Sequence, residues 1–268
     1  MPPAPTDHFE SIVSDAERGL DQGEFFFMLQ PKVRLPEHRL CGFESLIRWR
    51  HPEGAVLHPA YFISVVEDSE LAGQFTALLL DRAARRLAHW KAIGHGDLSI
   101  AINLSADQLG RAELPRRLAE ACRAHAVAPQ GIEIELTCTV EPERLDWLVE
   151  AIHAAQAAGA RVALDDLGAG FNSLTLLQQL PADIVKFDRS LLARVPASAE
   201  AAARLAKLAA IARERGQRIV LAGIENAAQL AWACLLGDLD GQGFFIGKPC
   251  DESRADAVIG QYRPAAGG

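Results

Sequence analysis

The sequence is short of the features that mark several common protein classes. Its 268 residues include five cysteines, an odd number with no CxxC spacing, and eight histidines that form no HxH or HxxxH pair. Both facts argue against a disulfide framework or a zinc site and leave reduced thiols as the simpler reading. No apolar run approaches the roughly 20 residues that a membrane span needs, and no basic stretch followed by an apolar core opens the chain. A soluble, cytoplasmic protein with no membrane partner is expected. Cations are also in deficit: 27 Lys and Arg face 35 Asp and Glu, for a net charge of −8. Tracking along DNA or RNA requires clustered Lys and Arg, so nucleic acid is not an expected partner. A small anion could still bind a pocket that carries its own cation. Solenoid repeats and linkers rich in Gly, Pro or Ser are missing too. Residues 9–262 therefore read as a single domain, with residues 1–8 and 263–268 as disordered arms without apolar periodicity.

What the chain does have is alternation. Strand-like apolar runs occur at residues 25–30, 40–48, 98–104, 132–137, 161–164, 183–187, 218–221 and 243–246. Stretches with apolar residues at three- and four-residue spacing predict helices at 9–20, 75–93, 114–125, 145–158 and 201–215. Eight strands alternating with helices suit an α/β barrel of about 200 to 250 residues. The first two strands are joined by residues 31–39, too short for a crossover helix, so that pair reads as an antiparallel hairpin. Within the first strand, Phe25, Phe26 and Phe27 are expected to face the core and the covering helix rather than form a sticky patch.

Polar residues recur near the carboxyl ends of these runs: Glu44, Asn103, Glu135, the pair Asp165 and Asp166, and Lys186. Parallel strands would gather them on one side of the barrel. Such a cluster repels itself unless divalent cations sit in it, and its oxygen donors favour Mg²⁺ or Mn²⁺ over zinc. The position that should complete the set, after residues 218–221, is Ala222. Glu133, Asp188 and Glu225 read as solvated or structural acids, and His51 as structural.

The segments GFESLIRWRHP (42–52), Asn103-Leu104-Ser105, Glu133-Ile134-Glu135-Leu136-Thr137, DDLGAG (165–170), Lys186-Phe187-Asp188-Arg189 and Gln242-Gly243-Phe244 occur in this order. Together they resemble the EAL family, bacterial phosphodiesterases that linearise cyclic di-GMP. The resemblance runs from about residue 26 to 249, and its name-giving triplet reads Glu44-Ser45-Leu46 here. It implies a modified, TIM-like (β/α)8 barrel with an antiparallel strand at the start and two Mg²⁺ or Mn²⁺ ions at its mouth. Glu44, Asn103, Glu135 and Asp165 would hold the first ion, with Asp165 bridging to a second held by Asp166. Glu44 and Lys186 would be catalytic, Lys186 steadying the attacking water. Arg48 and Gln242 would contact the dinucleotide, and Gln30 would line the same pocket. Two cations about 3.5 to 4 Å apart suit phosphodiester cleavage because they neutralise the anion and stabilise both attacking and leaving oxygens.

Two departures bear on activity. Where the family has a glutamate for the second ion, this chain has Ala222, followed by Gly223, Ile224 and Glu225. Where the family has a glutamate that anchors the loop after Asp166, this chain has Cys138, and the loop reads LGAGFN over 167–172. The resemblance therefore implies a degenerate member that binds cyclic di-GMP and signals through contacts with another protein, with a homodimer among its possible states. The alternatives are a working phosphodiesterase that yields pGpG, and an adaptor that has abandoned nucleotide.

Overall fold

A computed structural model describes residues 5–137, 142–168 and 173–262. Cys138 and most of the loop after Gly168 lie outside the described residues. The strands are β1 (Phe25–Arg34), β2 (Arg39–Arg50), β3 (Val56–Leu57), β4 (Ser99–Asn103), β5 (Ile132–Thr137), β6 (Arg161–Leu167), β7 (Ile184–Phe187), β8 (Arg218–Leu221), β9 (Asp240–Gly241) and β10 (Cys250–Asp251). Neighbours run β1-β9-β8-β7-β6-β5-β4-β2, and a long β1–β2 pairing closes the ring. Eight strands thus form a closed mixed barrel, with β3 and β10 as short flanking ribbons. β1 is antiparallel to both of its barrel neighbours, while the successive pairs from β2 round to β9 are parallel.

Strand alternation divides the side chains between two environments. On β1, Phe25, Phe27 and Leu29 pack outward, while Gln30 and Lys32 are buried polar residues of the opposite face. Phe25 stacks on Trp49 at 5.1 Å and meets Phe75 edge-on at 5.3 Å. Phe75 belongs to the helix Ala72–Ala92, which buries Leu79, Leu80, Ala83, Leu87 and Trp90 at helical spacing. Trp90 in turn stacks on Phe43 of β2 at 5.0 Å. Gly42 permits the close approach of β2 to β4, because a Cβ there would sit 2.4 Å from the Ser99 carbonyl oxygen.

The expected helices are present with small shifts of boundary, and the first begins at Pro5, so it takes in part of the expected N-terminal arm. One strand expectation fails. Residues 243–246 form a turn, with Ile246 and Gly247 both donating to the Gly243 carbonyl, and the eighth barrel strand is the shorter Asp240–Gly241. The cause is packing at Gly243, where any Cβ would lie 2.2 Å from the Ile224 carbonyl oxygen. Among the described residues no helix is long and apolar enough to cross a membrane.

Candidate functional site at the barrel mouth

Inward-facing positions of the barrel stack in layers. An apolar layer of Ala163, Ile184 and Val220 crosses its middle. Above it, toward the carboxyl ends of the parallel strands, the register carries Glu44, Asn103, Glu135, Asp165 and Lys186 to one place. Glu44 lies opposite Ala101 on β4, Asn103 opposite Glu135, and Thr137 opposite Asp165.

The carboxylates of Glu44, Glu135 and Asp165 offer oxygens all within 4.8 Å of one another. Lys186 reaches into this group and donates to Glu44 at 2.9 Å, Glu135 at 2.9 Å and Asp165 at 3.3 Å. Asn103 donates to the other oxygen of Glu44 at 3.4 Å. Gln242 donates to Glu44 at 2.6 Å and to Gln30 at 3.1 Å. The side-chain oxygen of Gln242 is buried with no hydrogen-bond partner among the described residues, an acceptor left unmatched.

Three buried anions around one ammonium leave a surplus of negative charge. Burial opposes ionisation of Glu44, but the adjacent Lys186 overcomes it and holds the carboxyl down to about 2. Glu135 is driven the other way, to about 8, by burial and then by the charge of Glu44. Asp165 is also raised, through burial, despite Lys186. A set of carboxylate and amide oxygens at this spacing could hold a hard divalent cation. A cation bound among these carboxyls would favour their ionised forms and release the protons they hold.

Asp165 and Asp166 are adjacent, yet both border the mouth. The β6–β7 register shifts between Leu164 and Leu167, and Asp166 adopts a left-handed backbone with φ of 55°. A local bulge of this kind re-aims a side chain that regular alternation would turn away. Asp166 lines a cavity of about 310 Å³ together with Gln30, Lys186, Ala222, Glu225 and Phe244. Ala222 sits just past β8, its amide donating to the Phe187 carbonyl at 3.0 Å. Ala222 itself offers no oxygen side chain to this cavity; Asp188, whose charge acts on Asp166, and Glu225 also line it. A second, larger cavity of about 550 Å³ lies on the other flank, bordered by Glu44 and Asn103. Arg48 is half-buried on β2, within the field of Glu44, and lines neither of these two cavities.

Residues 13–249 match the EAL domain family. The chain belongs to that family. It is 31% identical over 238 residues to the bifunctional diguanylate cyclase/cyclic di-GMP phosphodiesterase MucR of Pseudomonas aeruginosa, covering 89% of this chain and 35% of MucR. It is 30% identical over 247 residues to the cyclic di-GMP phosphodiesterase NbdA of the same organism, covering 91% of this chain and 31% of NbdA. The chain thus spans about a third of the length of the curated relatives it matches. The solved PaMucR phosphodiesterase in complex with c-di-GMP superimposes with a TM-score of 0.81 at 30% identity, over 91% of this chain and 99% of that one. The FimX EAL domain of Xanthomonas citri, in complex with c-diGMP, shares the fold at 17% identity, with a TM-score of 0.80 over 91% of this chain and 94% of that one.

Within this EAL domain the altered middle residue of the triplet is accounted for. The Ser45 hydroxyl donates to the Ala101 carbonyl at 2.6 Å, turned away from Glu44 by strand alternation. Asp188 caps the helix Arg189–Leu192, accepting from the Ser190 amide at 2.9 Å, and also lines the smaller cavity. Glu133 is structural, and buried rather than solvated: it pairs with Lys32. Glu225 is exposed and lines the smaller cavity. Lys32 escaped the sequence analysis, although it stands two residues from Gln30 on one strand and so shares its inward face. It lies 4.0 Å from Glu135 and is the cation beneath the cluster.

Proposed function

We propose that this EAL domain binds cyclic di-GMP across the barrel mouth, hydrolyses it weakly or not at all, and transmits the bound state by contact with a signalling protein. The observation that carries the reading is the asymmetry of the mouth. On one flank Glu44, Glu135 and Asp165 cluster and, with Asn103, would supply the oxygens for one Mg²⁺ or Mn²⁺ ion. On the other, the wall that carries Asp166, Asp188 and Glu225 has Ala222 where a further carboxylate would be needed for a second. A divalent cation bound here would neutralise the phosphodiester and acidify a bound water.

The chain's own residues supply the rest. Lys186 holds Glu44, Glu135 and Asp165 in one arrangement with its three donors, and would exchange one of these bonds to steady an attacking water. Gln242 and Gln30 would position the dinucleotide, and Arg48, outside both cavities here, would have to swing in to meet its anionic backbone. Loss of an outer partner of a metal ligand costs about 10- to 100-fold, so absence of a direct ligand costs at least that. Binding, which draws on the intact flank, is spared. A second reading, an active phosphodiesterase releasing pGpG, draws support from Glu225, a carboxylate on the wall of the same cavity.

Titration calorimetry with cyclic di-GMP, with and without Mg²⁺, tests the binding claim; no heat at tens of micromolar ligand would eliminate it. Chromatography for pGpG separates the two readings. Wild type should form little product, and Ala222→Glu should raise the rate by about 10- to 100-fold. Brisk turnover by wild type that is lost in Glu225→Gln would favour the second reading instead.

A further inference from the structure

The larger cavity, of about 550 Å³, touches Glu44 and Asn103, so it is continuous with the acidic cluster. Leu46, Ile47, Pro59, Ile63, Leu79 and Leu104 form the apolar part of its wall, beside polar residues that include Ser105, Asp107 and Arg144. Glu67 lines it too. This residue ends the short helix Ile63–Glu67, which is rooted in the core by Phe62 and Val66, so its carboxyl is held on a fixed support. Among the described residues it forms no ion pair. Arg144, on the same cavity wall, pairs with Asp107 and lies over the Trp147 ring at 4.4 Å. Burial, followed by the charges of Asp68 and Asp107, pushes the Glu67 carboxyl up to about 7. A carboxyl is therefore held in the cavity wall with no cation paired to it among the described residues.

We propose that Glu67 accepts hydrogen bonds from the Watson–Crick edge of a guanine seated in this cavity, and so determines the base specificity of the site. The inference rests on the cyclic di-GMP reading of the mouth. A nucleotide whose phosphate lies over the Glu44 and Asn103 flank has its base in the adjoining cavity, where the apolar part of the wall, Leu46, Pro59 and Leu104 among it, suits the base faces. Guanine presents its N1–H and 2-amino group side by side, and a carboxylate is an acceptor-only group that can receive both. Adenine presents an acceptor at N1, which would oppose the carboxylate lone pairs. Hypoxanthine keeps N1–H and lacks the 2-amino group.

The test is a cycle of four titrations, wild type and Glu67→Gln each with cyclic di-GMP and with cyclic di-IMP, its hypoxanthine analogue. Glutamine is close in size and replaces one acceptor oxygen with a donor. Wild type should prefer cyclic di-GMP by about 5- to 150-fold, the usual discrimination of a bidentate base contact. Glu67→Gln should lose most of that preference while binding cyclic di-IMP about as wild type does. The preference is a ratio within one protein, so a change in the folded fraction does not move it, and non-additivity reports direct contact between the two groups. Equal preference in both proteins, or no preference in wild type, overturns the role of Glu67 and leaves the cyclic di-GMP reading standing. Failure of wild type to bind either ligand overturns both.

Discussion

At the amino-terminal end of the barrel, Lys32 pairs with Glu133, Arg218 pairs with Asp240 and approaches Glu133 at 3.6 Å, and Arg34 reaches Asp240 at 2.7 Å and Asp238 at 2.9 Å. Three cations there meet three anions. At the carboxyl-terminal end, Glu44, Glu135 and Asp165 share Lys186. The apolar layer of Ala163, Ile184 and Val220 lies between the two, and Lys32, 4.0 Å from Glu135, reaches from the lower network toward the upper cluster. Both layers bury acids, but only the lower one is balanced. A buried charge is tolerated when it is matched, so the lower network reads as structure and the surplus of acid above as a seat for a cation. Balance of charge, rather than the presence of acids, distinguishes a floor from a site.

The sharpest contrast should come from the two buried lysines. Lys32→Met strands Glu133, whose carboxyl is held at about 2 against burial chiefly by Lys32, and should cost about 3 to 5 kcal/mol in urea unfolding, as breaking a buried pair does. Lys186→Met should cost less, because Glu135 at the mouth is already driven up to about 8 and can keep its proton. Mn²⁺ should restore stability to Lys186→Met and leave Lys32→Met unrescued. Equal losses with equal rescue would erase the distinction between the layers.

A smaller effect should appear with pH. The Glu135 carboxyl is raised from an ordinary value of 4.5 to about 8, so the unfolded chain ionises first and its contribution to stability falls between those values. Glu133 is lowered from 4.5 to about 2, so its contribution is complete above 4.5 and is lost as pH drops toward 2. Since a carboxyl must lose its proton to ligate, apparent Mn²⁺ affinity should climb with pH and level off near 8. An affinity flat from pH 6 to 8 would remove Glu135 from the cation site. Smallest of all should be Asp238→Ala. Its side chain is 74% exposed, and loss of an exposed pair costs no more than about 1 kcal/mol; a larger loss in thermal unfolding would extend the balanced layer to the surface.

The barrel was legible in the sequence because its strands are buried on both faces and its helices carry regular apolar stripes, as in residues 132–137 and 75–93. The hairpin at the start was legible from a connection too short for a helix. The strand expected at 243–246 misled because Phe244, Phe245 and Ile246 form an apolar run; their turn is dictated by contact of Gly243 with Ile224, a residue nineteen positions earlier. Glu44, Asn103, Glu135, Asp165 and Lys186 could be paired with strand ends before any coordinates. Lys32 and Glu133 could not, since sequence alone does not tell which of two alternating acids, Glu133 or Glu135, faces the floor and which the mouth. Glu67 was invisible because its setting is made by segments distant in sequence, β2, β4 and Leu79, that meet only in the folded chain.

The central claim is that the mouth seats one cation on its complete flank and none opposite Ala222. Counting Mn²⁺ bound per chain by electron paramagnetic resonance, in the presence of saturating cyclic di-GMP, tests this most directly. The account predicts one tightly held ion in wild type and a second in Ala222→Glu. Two ions in wild type, or none, would contradict it.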